Sequence, residues 1–313
     1  MLVPKSGEHA ALGRSMERAA WLAQGSDLAQ GGRLAKGADA LGQLRVFDTL
    51  GTPDGAIAAA KIARHSGARI LLGPIFAREL PGVIDVAGTG VPVIAFSNDA
   101  GLRESGAFVF GITAAQIVTA LLARAAGSGI RRVAVAHGAA DGWNKQVAAA
   151  ALDVARPLGV EMVDMASAGT LPGAVLVTDT AQLADIGPGL TRKGVQVLAA
   201  IAGLDLPPET LRALEGTWFA GPDPARFASF SRTYEEQVGS PPGLITGLAY
   251  DAVRIVQQLR LGGGIDRSAL LAASGFKGVC GDVRFREDGS AARTLAILAV
   301  KDGNLASIAP PLG

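Results

Sequence analysis

Cysteine is almost absent: Cys280 stands alone, so no intrachain disulfide can form and the redox compartment goes unreported. Aromatic residues are 5% of the chain, too few to lay out a stacking platform for single-stranded nucleic acid. Neither sign of charge dominates, with 29 Lys and Arg against 28 Asp and Glu. That balance gives no electrostatic reason to expect nucleic acid or an anionic membrane as partner. No run approaches the ~20 apolar residues of a membrane helix, and no signal peptide is visible. His9, His65 and His137 are scattered, none with Cys, His or acid neighbours at metal-ligand spacing, so neither a metal nor a cofactor is expected. Catalytic motifs are missing too. There is no G-x-S-x-G elbow and no Walker loop. Gly88-Thr-Gly90 lacks a third glycine at the right offset and precedes a strand, where a dinucleotide fingerprint would follow one.

What the chain does have is length and apolar content. At 313 residues, 49% of them apolar, it can bury two cores of ordinary size. Short apolar runs alternate with amphipathic stretches, the pattern of α/β structure with parallel strands. Strands are expected at Leu44–Phe47, Ile70–Leu72, Val91–Phe96 and Phe108–Phe110, with helices at about Ala11–Ala23, from Pro53, at Ala77–Ala87 and at Ala114–Ala126. After Gly127 the rhythm restarts, with strands at Arg132–Ala136, Glu161–Met165, Ala174–Val177, Val195–Ile201 and Thr217–Ala220. Helices are expected at Trp143–Pro157, Ala225–Val238 and Leu244–Arg260. The tail changes character: Asp282–Phe285 and Thr294–Val300 flank a Glu287–Ser290 turn, and Lys301–Asn304 leads to a last strand, which reads as antiparallel hairpins. Leu2–Pro4 looks like the end of a strand whose beginning lies upstream, and a targeting segment could stand there too.

Two α/β halves predict two lobes, residues 1–112 with 243–287 and residues 113–242 with 288–313. The chain should cross between them near 111–115, 238–243 and 286–293. In open parallel sheets ligands bind beyond the carboxyl ends of the strands, which draws attention to the small polar residues there. Ser97-Asn98-Asp99 ends the run Val91–Phe96, and Ser6 ends the first strand. Asp205 and Asp223 end strands of the second half, and Trp143 opens a helix behind Asp141. Each has a plainer reading beside the functional one, since Ser, Asn and Asp cap helices and turns equally well. Cys280 reads as a small packed residue.

The order and spacing of several segments resemble the type I periplasmic binding proteins of the Leu/Ile/Val-binding family. They are SGEHAALG at 6–13, VFDTLGTPDGA at 46–56, ILLGPIFARE at 70–79, GVPVIAFSND at 90–99, RRVAVAHGAADGW at 131–143 and AYDAVRI at 249–255. Within that family, EGTWFAGPDPARF at 215–227 and GFKGVCGDVRFREDGSAARTLAIL at 275–298 resemble bacterial penicillin-binding-protein activators. The resemblance implies two Rossmann-like lobes joined by three crossing segments, a ligand cleft between them that closes about a hinge, an extracytoplasmic site of action and no catalysis. Ligand contacts are expected from Ser6, Phe76, Ser97, Asn98 and Asp99 in one lobe and, by their places at strand ends and a helix start, from Trp143, Asp205 and Asp223 in the other. The resemblance implies as partners a small polar ligand such as an amino acid, and either a membrane transporter or a peptidoglycan synthase. A lipoprotein held by an upstream anchor would fit.

Three departures stand out. Ala77 occupies the place of a serine that helps hold the ligand carboxylate in amino-acid binders. Asp99 adds an acid where a carboxylate would sit, which repels it, the more so away from water. Only eight residues, 166–173, separate two apparent strands where the family usually has a helix; those strands are not parallel neighbours, or an element is lost. The functional expectation is a non-catalytic regulator of peptidoglycan synthesis, and the alternative is the solute-binding component of an ABC transporter for amino acids or similar polar molecules.

Overall fold

The computed structural model describes residues 1–27, 33–34, 44–136, 138, 141–165, 171–204 and 206–312. Two compact units are present: Met1–Ile112 with Ala225–Arg293, and Thr113–Pro224 with Thr294–Gly313. The later bounds differ from the expected ones. Residues 225–242 lie in the first unit because Phe230 and Tyr234 are buried there with Ala19. Residues 291–293 lie there because they pair with 283–285.

The first unit opens with β1 (Leu2–Val3), α1 (Ala10–Ala23) and the two-residue ladder of β2 (Ser26–Asp27) and β3 (Arg33–Leu34). β4 (Phe47–Asp48), α2 (Pro53–His65), β5 (Leu71–Leu72), α3 (Leu80–Ala87), β6 (Val93–Ala95) and β7 (Phe108–Val109) follow. β4 pairs in parallel with β1, and β5, β6 and β7 form a parallel ladder. β5 runs beside β1: a Cβ on Gly73 would stand 2.2 Å from the Leu2 carbonyl oxygen.

Successive strand residues face opposite ways. Leu2, Leu71 and Val93 enter one core with Ala56, Ala59, Ala60 and Ala63 of α2. Val3, Leu72 and Ile94 enter the other with Met16 and Ala20 of α1. Both faces are covered, as parallel sheets require, and each fully buried Leu, Val, Ile or Phe contributes about 1.5–3 kcal/mol. Local chemistry fixes the helices. Thr52 caps α2 by accepting from Gly55 N–H at 3.1 Å, Pro53 fills the first turn, and Arg64 and His65 sit at its carboxyl end. α1 approaches the end of β1 so closely that a Cβ on Gly13 would lie 1.7 Å from the Pro4 carbonyl oxygen.

The second unit starts at α4 (Ala114–Gly127), behind a capping box of Thr113 and Gln116. β8 (Arg132–Ala136), α5 (Gly142–Ala155), β9 (Glu161–Asp164), β10 (Ala174–Val177), α6 (Thr180–Arg192), β11 (Gln196–Ala199), α7 (Pro208–Ala213) and β12 (Trp218–Gly221) follow. The first unit then receives α8 (Pro224–Val238), α9 (Leu244–Leu261), α10 (Arg267–Ala272) and the hairpin β13 (Val283–Phe285) with β14 (Ala291–Arg293). β15 (Leu295–Lys301) and β16 (Asn304–Leu312) complete a seven-stranded sheet in the order β16-β15-β12-β11-β10-β8-β9, antiparallel only at β15 and β16.

Three sequence expectations need correction or completion. The hairpin partner of 283–285 is 291–293; residues 295–301 pair with β12 and β16 instead. β9 and β10 are not neighbours, because β8 lies between them. Three helices escaped the reading: α6, which holds Pro188 between Gly187 and Gly189, and the six-residue α7 and α10. The second tail turn is as expected, with Asp302 and Gly303 at φ 52° and 72° joining paired Lys301 and Asn304.

Candidate functional site

The carboxyl ends of β1, β4, β5 and β6 carry the first-unit candidates. The Ser6 hydroxyl is exposed and donates to Asp48 Oδ2 at 2.7 Å. Asp48 Oδ1 accepts from the backbone N–H of Lys5 at 2.8 Å and of Leu50 at 2.9 Å. Desolvation alone would raise the Asp48 pKa, but the Ser6 hydroxyl and these N–H donors outweigh it and hold the carboxyl below its ordinary value.

Phe76, half-buried after the Gly73-Pro74 turn, meets the His9 ring at a centroid distance of 4.6 Å. The Arg78 guanidinium lies 4.9 Å from the Phe76 centroid and donates to the Gly51 carbonyl at 2.9 Å. Leu50 sits at φ 56° and is 53% exposed, an uncommon backbone conformation for leucine. Ser6, His9, Asp48, Leu50, Phe76 and Arg78 thus form a connected surface cluster. Of these, the sequence singled out Ser6 and Phe76. Asp48 and Arg78 lay inside quoted motifs without being singled out.

Ser97 is buried, and its Oγ accepts from Asp99 N–H at 3.2 Å. Asp99 accepts from Gly101 N–H at 2.9 Å and caps the short turn Ala100–Leu102. Asn98 is half-buried. The three follow β6, whose neighbours on either side reach them: Phe96 N–H donates to Pro74 O, and Gly111 N–H to Ser97 O. The capping reading therefore holds for Ser97 and Asp99, and Asn98 stands half-buried at the same strand ends.

In the second unit Trp143 is half-buried in the first turn of α5, and its Nε1–H donates to the Ala200 carbonyl after β11 at 2.9 Å. Asp141 caps α5 through Asn144 N–H at 2.8 Å, the plainer of its two readings. Asp179, beyond β10, caps α6 through Gln182 N–H at 2.9 Å, and Thr178 Oγ1 accepts from Gly138 N–H. Asp223 is half-buried immediately before α8. Asp205 and His137 fall outside the described residues. Trp143 and Asp223 do lie beyond strand ends, joined there by Thr178 and Asp179. A polar pair directly after the buried run Ala174–Val177 was the signal for those two. No cluster of His, Cys, Asp and Glu able to hold a metal exists among the described residues, and no helix is long and apolar enough to cross a membrane.

Two α/β units with polar residues at the carboxyl ends of parallel strands define a binding-protein fold. The family model "Periplasmic binding protein" matches residues 1–174, and the chain belongs to that family, an extracytoplasmic family of binding proteins. Its fold is that of the type I members. A protein of Rhodospirillum rubrum named for a branched-chain amino acid ABC transporter superposes with TM-score 0.80 at 22% identity, covering 98% of each chain. A solute-binding protein of Rhodopseudomonas palustris BisB5, solved with 3,4-dihydroxybenzoic acid, gives TM-score 0.68 at 19% identity, covering 99% of this chain and 95% of that one. The LpoA (YraM) C-domain of Haemophilus influenzae, a regulator of PBP1A, gives TM-score 0.73 at 15% identity, covering 98% of each. At these identities the likeness is one of fold. None of the curated proteins matches the chain.

Proposed function

We propose that the protein is a non-catalytic regulator at the cell envelope that acts through its surfaces on a peptidoglycan synthase. One observation carries this reading: two of the first-unit hydroxyls that would hold an amino-acid carboxylate are engaged or absent. Ser6 donates its hydroxyl proton to Asp48, and position 77 is alanine. Asp99, and Asp48 with it, would add negative charge at the strand ends where a ligand carboxylate is expected. At an effective dielectric of about 20, two like charges 4 Å apart repel by about 4 kcal/mol, more than the ~1 kcal/mol of a typical hydrogen bond. The test adds the purified protein to a peptidoglycan synthase and follows glycan polymerisation. Stimulation, with no thermal shift from leucine or isoleucine, supports the reading. A leucine-induced shift without stimulation overturns it.

A second reading, the solute-binding component of a transporter for a small polar molecule, is favoured by the His9–Phe76 ring pair with exposed Leu50 beside Asp48. That face suits a ligand with an apolar body and a cationic or hydroxyl-bearing end. Ser6, Phe76, Ser97, Asn98 and Asp99 would contact it, with Trp143, Asp223 and Asp205 serving in the second unit. A ligand at about 100 times its Kd would stabilise the protein by ~2.7 kcal/mol. Asp99→Ala would weaken such a ligand by about 1.5–3 kcal/mol, read by calorimetry.

A further inference from the structure

The first unit contains a cavity of about 310 Å³ at the amino ends of its strands, the end opposite the polar cluster. Its floor is apolar, with Phe47, Leu71 and Val256 among the lining residues. Its rim is basic: Arg45 comes from the chain before β4, Arg69 from the chain before β5 and Arg260 from the last turn of α9. Among the described residues no Asp or Glu lines it. None of the three arginines has a carboxylate within ion-pair distance among the described residues. Asp266, which feels the charge of Arg69, accepts from Ser268 Oγ at 2.6 Å and Ala269 N–H at 2.8 Å and forms no ion pair with Arg69 among the described residues. Arg45 lies 5.3 Å from the Phe47 centroid.

One effect opposes an anion here. α1, α2 and α9 all end at this face, and a helix carboxyl end carries roughly −0.5 charge. Three such ends sum to about −1.5, against three full positive charges on the rim, so the arginines prevail. Guanidinium groups match phosphate oxygens in pairs, and three of them match a dianion better than a single carboxylate. The apolar floor asks for a hydrocarbon group on the same molecule.

We propose that this cavity binds a phosphate monoester carrying a short apolar group, either a free ester or the headgroup end of an anionic lipid. The site is independent of the strand-end cluster and of the function proposed for it. Butyl phosphate, inorganic phosphate and butanol are the calorimetric probes. Butyl phosphate should bind, inorganic phosphate about tenfold more weakly or worse, and butanol not measurably. Arg69→Glu and Arg260→Glu should each weaken butyl phosphate at least tenfold without lowering the melting temperature of the ligand-free protein. Val256→Trp, which fills the floor, should abolish binding, and Asp99→Ala should leave it unchanged. Sedimentation with phosphatidic acid vesicles, against phosphatidylcholine vesicles, separates the sources: co-sedimentation lost in Arg69→Glu assigns a lipid headgroup, and its absence with butyl phosphate binding intact assigns a free ester. No heat with butyl phosphate at millimolar concentration, or binding indifferent to both arginine substitutions, overturns the proposal.

Discussion

Two places in the first unit bury a carboxyl group, and they resolve the burial in opposite ways. Asp251, on α9, is 2% exposed. Its oxygens accept from the N–H groups of Val279 at 2.8 Å and Cys280 at 2.9 Å. Arg293, itself buried at the end of β14, donates to the carbonyls of Cys280 at 3.1 Å and Phe110 at 2.7 Å and lies over the Phe110 ring. Glu79 is 1% exposed, and neither of its oxygens has a hydrogen-bond partner among the described residues. Desolvation raises it to about 7, although the charge of Arg78 and the N–H of Phe76 pull the other way; that N–H stands outside hydrogen-bond geometry. Desolvation also raises Asp251, against the N–H groups of Cys280 and Val279 and the charge of Arg293. The difference shows that depth alone does not set the cost. Separate chain segments supply hydrogen-bond partners to Asp251 and Arg293, whereas among the described residues none supplies a partner to the Glu79 oxygens.

The sharpest way to break the contrast is to remove one member of the hydrogen-bonded cluster. Arg293→Met and Asp251→Ala should each destabilise by about 3–5 kcal/mol, because the remaining charge or donors stay buried; urea unfolding measures it, and a loss under 1 kcal/mol would show the cluster to be dispensable. Glu79 should behave in reverse. Its folded pKa is raised, so the folded state holds a proton that the unfolded state releases between about pH 4.5 and 7. Stability from this group is present below pH 4.5 and falls as pH rises through 7, by about 3 kcal/mol for a shift of this size. Glu79→Gln should flatten that decline and stabilise the protein at pH 8, compared by unfolding at pH 5 and 8. An unchanged slope would sink this assignment. A double-mutant cycle of Asp251→Asn with Arg293→Met should return a coupling of about 0.5–3 kcal/mol, while a zero would mean that the two act separately. Smallest is the exposed analogue. Ser6→Ala, which strips one donor from Asp48, should cost only about 0.5 kcal/mol because water replaces it, and a thermal scan with losses much above that would place Asp48 deeper than its surroundings suggest.

Much of this architecture was legible in the residues, for reasons that differ by region. Ala174–Val177 and Arg132–Ala136 stand out because strands covered on both faces must be apolar throughout, and their observed bounds agree with the reading. α6 was invisible because Gly187, Pro188 and Gly189 mask an amphipathic pattern that Leu183 and Leu190 anchor by burial. The β13–β14 hairpin was misread because strand partners are chosen by tertiary packing. Ala291–Arg293 is only three residues long, and Arg293 looks like a surface residue until Phe110 and Cys280 surround it. At the strand ends, Ser97 and Asp99 were recognisable as polar groups after a buried run. That Ser6 would turn to Asp48, 42 positions away in the chain, depends on the parallel pairing of Val3 with Asp48, which no local pattern announces.

The pairing of β12 with β15 also dictates an order of events during folding. Phe219 finds its partner in Leu298, so the second unit lacks its antiparallel strands until nearly the whole chain has been made. Residues 225–293, built into the first unit, are synthesised in between. The first unit can therefore close while the sheet of the second still shows the open flank of β12, an aggregation-prone edge. Such late, long-range closure slows folding and makes the interval before β15 docks the one in which a chaperone has most to protect.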